Sequence, residues 1–177
     1  ADPLFAGAAS SPHWLAVTNP DGGSAAAQDA FASALAVDGD TLLVGAPLDD
    51  APGANDAGAA FVFVRQAGQW QFQAKLVPAD RAAAAQFGHA VALSGDTALV
   101  SAWKHNTAAG SGAGAAYAFV RSGGVWTQQA RLLAADGATG DAFGDAVALL
   151  GDTAVVGASG DDSESVINHG SAYVFQR

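Results

Sequence analysis

The sequence predicts an all-β chain: a β-propeller of four-stranded antiparallel blades, with three 56-residue repeats in 177 residues and the N-terminal strand completing the last blade. Three observations predict it. Phe31, Phe87 and Phe143 lie 56 residues apart, as do Gly39, Gly95 and Gly151, and then Phe63, Phe119 and Phe175. Residues 31–65, 87–121 and 143–177 align without a gap, and 12 of their 35 columns are identical in all three copies. Of the 17 acids, every one except Glu164 is Asp, a turn residue rather than a helix former.

Each copy reads as four strands, A to D, expected in the first copy near 33–38, 41–46, 59–65 and 70–76. Ala34-Leu35-Ala36-Val37 runs through Asp38-Gly39 into Thr41-Leu42-Leu43-Val44, two short apolar runs joined by a two-residue hairpin signal. A longer loop leads to Ala60-Phe61-Val62-Phe63-Val64, and Gln66-Ala67-Gly68 turns the chain into Trp70-Gln71-Phe72-Gln73-Ala74. Strands A to C are apolar on both faces, as stacked sheets require, while strand D alternates in part, as an outer strand with one wetter face does. The competing architecture is a plain β-sandwich.

The whole chain forms one propeller or half-propeller domain, residues 1–177. Its blades are residues 31–86, 87–142 and, for strands A to C only, 143–177. The missing strand D reappears at the other end of the sequence. Trp14, Trp70 and Trp126 are spaced by 56, and each precedes a repeat Phe by 17 residues. Residues 10–30 are therefore expected to be the closing strand D and its loop, rather than a tail. Three blades alone would each have to cover about 120° of a circle, against about 60° in a six-bladed ring. A homodimer completing six blades is the expectation, with a longer natural chain as the rival.

Bulk properties exclude several classes. A net charge of −10 with seven Lys and Arg leaves little to meet phosphates, so no nucleic-acid partner is expected. No apolar run reaches the roughly 18 residues of a membrane helix, so no membrane insertion is expected. Without Cys there is no disulfide, thiolate zinc site or thiol nucleophile. The chain starts at Ala1 rather than Met, which suggests removal of a secretion signal and a secreted or cell-surface location.

Phe87-Gly88 and Phe143-Gly144 open strand A, and Gly45-Ala46-Pro47 closes strand B. These resemble the FG-GAP repeat of integrin α-subunit propellers. Ser94-Gly95-Asp96-Thr97-Ala98-Leu99-Val100 and Trp126-Thr127-Gln128-Gln129-Ala130-Arg131-Leu132 resemble the bacterial branch of that repeat more closely still. The resemblance covers nearly all of residues 10–177. It implies propeller blades in secreted or surface proteins that bind other molecules. The integrin type also carries a calcium loop at the A–B turn. Here that turn is only Asp38-Gly39-Asp40, Ser94-Gly95-Asp96 or Leu150-Gly151-Asp152, too short to wrap a cation that wants six or more oxygens. No metal and no cofactor is expected.

No zinc-protease helix, phosphate-binding Gly loop or nucleophile elbow is present, and the chain is read as non-enzymatic. The four His fall in four different repeat columns, as drift would place them. Variation concentrates between strands B and C, at Asp49, Asp50, Trp103, Lys104, His105, Asp161, Asp162 and Glu164. The B–C and D–A loops emerge on one face, so these residues are the candidate contacts for a protein or glycan ligand, with Trp103 as aromatic anchor. The bland alternative is that the acids only solvate loops and cap turns. The expected function is a secreted or surface interaction and adhesion module. The alternatives are a self-assembling structural subunit and a fragment of a larger propeller protein.

Overall fold

The computed structural model of the chain describes residues 17–18, 20, 29–162 and 166–177. Residues 10–16 of the expected closing strand, Trp14 among them, lie outside the described residues. The first sheet comprises β1 (Ala34–Asp38), β2 (Thr41–Ala46), β3 (Ala59–Gln66) and β4 (Gln69–Leu76), hydrogen-bonded in that order. The second repeats it with β5 (Phe87–Ser94), β6 (Thr97–Ala102), β7 (Ala115–Ser122) and β8 (Val125–Leu132). The third has β9 (Phe143–Leu150), β10 (Thr153–Ala158) and β11 (Ser171–Gln176), with β11 at its outer edge. All pairings within the sheets are antiparallel, and the described elements include no helix.

These are three sheets packed in series rather than the two of a sandwich. β5 lies on β1 and β2, and β9 lies on β5 and β6. Among the described residues the sheets do not close into a ring, so the propeller is partial. Asp38 pairs with Thr41, Ser94 with Thr97 and Leu150 with Thr153, which leaves the two-residue Gly-Asp turn of each copy between them.

Strand A departs from expectation in one respect. β5 and β9 start on the repeat Phe, whereas β1 starts three residues later in its own copy. The column after the Phe is left-handed in all three copies, at Gly88 (φ 93°), Gly144 (φ 100°) and Ala32 (φ 70°). Only the first copy has to hold an alanine there, a conformation that costs an L-residue about 1–2 kcal/mol.

The seams between blades hold the core. Phe87 and Phe143 are fully buried, and each stands edge-on to the aromatic pair of its own strand C. The centroid distances are 5.6 and 6.0 Å to Tyr117 and Phe119, and 5.4 and 6.0 Å to Tyr173 and Phe175. Burying each such ring contributes about 1.5–3 kcal/mol. Phe87 also donates its N–H to Ala57 O, and Phe143 to Ala113 O, both at 3.0 Å. These bonds join consecutive blades at the Gly58–Phe87 and Gly114–Phe143 bridges. A Cβ on either glycine would fall on the carbonyl oxygen of that Phe, so the joint requires glycine.

Candidate functional site

The base of every B–C loop is built alike. Asp49, His105 and Asp161 share one repeat column, and their N–H groups donate to Ala46, Ala102 and Ala158. Their carbonyls accept from Gly58, Gly114 and Gly170. In the next column Asp50, Asn106 and Asp162 each accept a backbone N–H six residues on, at 2.8, 2.9 and 2.6 Å. Short polar side chains do this where a loop has no ladder to satisfy its backbone.

The residues expected to contact a ligand are differently placed in this geometry. Asp49 is buried, its carboxylate held by Lys75 at 3.0 Å and Arg81 at 2.9 Å. His105 is also buried, with Nε2 3.4 Å from Asp80 Oδ2. Asp50 and Asp162 are exposed but serve as loop caps. Asp161 is half-buried and accepts from the Tyr173 hydroxyl at 3.4 Å, while Asp136 accepts the same hydroxyl at 2.8 Å. Glu164 lies outside the described residues. Lys104 is exposed and Trp103 half-buried, and neither caps the loop.

His105 belongs to a polar cluster under the second B–C loop, where Arg131 also pairs with Asp80. Burial pulls the His105 imidazole below its ordinary pKa, with Arg131 adding to the effect and Asp80 opposing it. Burial pushes the Asp80 carboxyl up. The Arg131 hydrogen bond, the Tyr117 hydroxyl and the charge of His105 together outweigh that and leave it below the usual range. Burial and the neighbouring Asp80 raise the Tyr117 phenol.

Trp103 follows the end of β6 directly and is half-buried. Its ring lies 4.8 Å from the His89 imidazole, the planes tilted by 31°. Lys104 Nζ stands 4.7 Å from the indole centroid, and the indole Nε1–H donates to Gln86 Oε1 at 2.9 Å. His89 comes from β5, and its Nε2 lies 3.3 Å from Oδ1 of Asp145 on β9. The indole thus carries an imidazole stacked on it, an ammonium over its ring and an amide at its Nε1, with the Asp145 carboxylate beyond the imidazole, across the seam between blades 2 and 3. The exposed part of this group can offer a sugar or a partner's side chain both aromatic surface and hydrogen bonds.

The sequence reading missed His89, Gln86 and Asp145 as members of this group. Ser33, His89 and Asp145 form a polar column inside an otherwise apolar strand A, and that is the signal that would have found them.

The opposite face has a different chemistry. In each copy the Asp of the A–B turn takes a strand C arginine: Asp40 with Arg65, Asp96 with Arg121 and Asp152 with Arg177, each at 2.6 Å. These carboxylates are committed to the scaffold. Among the described residues no three metal-ligating side chains cluster.

The FG-GAP repeat profile matches residues 19–63, 70–119 and 126–175. The second and third matches run from a strand D through strands A to C of the following blade. No curated protein matches the chain. Three matches across most of its length, on three sheets of one design, show that the chain belongs to the FG-GAP repeat family.

Proposed function

We propose that this chain is a non-enzymatic interaction module of adhesion type, secreted or displayed on a cell surface, that binds protein or glycan through its B–C and D–A loop face. The observation that carries the reading is Trp103. It occupies a column held by Pro47 and Ser159 in the other copies, and it is braced by His89, Gln86 and Lys104 rather than sunk in a core. A large aromatic held in one orientation at the surface offers contact area at little entropic cost. The FG-GAP repeats supply a rigid frame, and binding residues on such frames sit in the loops.

The test is glycan-array and pull-down screening, followed by Trp103→Ala on whatever ligand is found. The variant should weaken binding on the order of 30-fold, the size of a 2 kcal/mol hot spot, with its melting temperature nearly unchanged. Undiminished binding by both Trp103→Ala and His89→Ala would place the working surface elsewhere. A second reading, self-association into a six-bladed homodimer, is favoured by the apolar ends of the sheet stack. Leu35 and Val37 are 60% and 65% exposed at one end, and Val174 is 67% exposed at the other.

A further inference from the structure

Trp126 shows what normally fills the outer part of a seam. Its ring packs against the core shared by blades 1 and 2, which includes Leu43, Val62 and Phe119. Its Nε1–H donates to Gln73 Oε1 at 2.9 Å, and the Arg121 guanidinium lies 5.1 Å from the ring centroid. Arg121 also donates to Thr41 Oγ1 at 3.1 Å.

One repeat further on, Thr41, Gln73 and Arg121 become Thr97, Gln129 and Arg177. All three line an open groove of about 260 Å³ between blades 2 and 3, together with Leu132, Leu149 and Phe175. The groove exists because the Trp of this column belongs to a strand D, and β11 has no outer neighbour among the described residues. Strand C shows the same vacancy. Tyr117 and Phe119 are buried in β7, whereas Tyr173 and Phe175 in β11 are only half-covered.

We propose that this groove is a socket for the Trp14-bearing strand of a second copy of the chain. Trp14 is in phase with Trp70 and Trp126, so pairing in the repeat register sets it against Arg177, as Trp70 faces Arg65 and Trp126 faces Arg121. Its indole N–H then reaches Gln129. Among the described residues, Val17 marks where the chain nearest to Trp14 lies. Val17 packs against the blade 1 cluster that also seats Trp70, and its column is that of Gln73 and Gln129. Blade 1 lies on blade 2 and blade 2 on blade 3, so that end is two seams away from the groove.

The end faces fit the same junction. Leu35 and Val37 occupy the columns of Val91 and Leu93, and of Val147 and Leu149, which pack in the two internal seams. Two junctions related by a two-fold axis join two chains into six blades.

Two departures make this joint weaker than the internal seams. Asp38 caps the Gly95 N–H at 2.6 Å and Ser94 caps that of Gly151 at 3.0 Å, but Leu150 has no oxygen to offer Gly39. Ala32 also stands where Gly88 and Gly144 let the preceding blade approach. Association is therefore reversible and depends on concentration.

The inference rests on the self-association reading above, and complementation separates the two. Trp14→Ala removes the donor, and Gln129→Trp fills the socket from an exposed position. Light scattering should give twice 17.4 kDa for the parent chain, and each variant alone should be monomeric with an unchanged circular dichroism spectrum. Mixed, the two variants should form a dimer, because one still donates and the other still accepts. A monomeric parent chain would overturn both the reading and the socket. A dimer that survives both substitutions, or variants that fail to complement, would overturn the socket alone.

Discussion

His105 stands where blades 1 and 3 carry Asp49 and Asp161, and its charge works against the fold rather than for it. The ring is buried, its Nδ1 has no partner among the described residues, and Arg131 lies beyond Asp80 on the same cluster. Its folded pKa is below the unfolded value of about 6.5, so the unfolded chain takes up the proton first. The stabilising contribution is complete above that value and is lost as pH falls through it towards the folded pKa. Asp80, also lowered, loses its contribution only at more acidic pH, as pH falls through its own folded value. His105→Gln should therefore flatten the fall in melting temperature between about pH 7 and pH 5. An unaltered slope in that interval would show that this imidazole is not the group being titrated. The same column shows why loop residues look free to vary when each column is compared alone. Asp49 answers to Lys75 and Arg81, while His105 answers to Asp80 and Arg131. Change in one column compensated by change in another strand looks like freedom when columns are compared singly.

Strands were legible because their cues are local: apolar runs of four to eight residues closed by Gly-Asp, with a period that fixes the next copy. Their ends were less so, because the left-handed residue after each repeat Phe is glycine in two copies and alanine in one. The C–D hairpin carries the same kind of mismatch. Its two turn residues both have positive φ, Ala67 (48°) with Gly68 (78°) in blade 1 and Gly123 (57°) with Gly124 (82°) in blade 2. That is the primed turn suited to a two-residue hairpin, and it favours glycine or asparagine over a residue with a plain Cβ. Ala67→Gly should thus stabilise the chain by about 1 kcal/mol, relief of the left-handed alanine exceeding the added flexibility of the unfolded chain. Thermal melts of the parent and variant decide it. A lower melting temperature would mean that unfolded-state entropy dominates at this turn.

At the scale of the molecule the three blades are one joint used repeatedly, and the joint's requirements can be tested at an end where it is unfilled. Gly58 and Gly114 are pressed by the backbones of Phe87 and Phe143, whereas Gly170, the third member of the column, has its nearest hypothetical Cβ contact at 3.6 Å, on Ser159 of its own blade. Placing a methyl group on Gly114 forces the seam between blades 2 and 3 open. At Gly170 (φ 74°) a methyl group costs the lone chain only the strain of a left-handed alanine, about 1–2 kcal/mol. If a second copy docks as the repeats dock on one another, its Phe31 takes the place that Phe87 and Phe143 take inside the chain, with its N–H on the carbonyl of His169. The methyl group of Gly170→Ala then lies between the two copies. The expected outcome is a small drop in the monomer's melting temperature together with a fall in dimer affinity on the order of tenfold or more, equivalent to at least about 1.4 kcal/mol. Gly114→Ala should lower the melting temperature much further, because it strikes a seam that every molecule contains. Sedimentation over a concentration series reads the first effect and calorimetry the second. Parent-like dimerisation by Gly170→Ala would mean that the two copies meet by some contact other than the one that joins the blades within the chain.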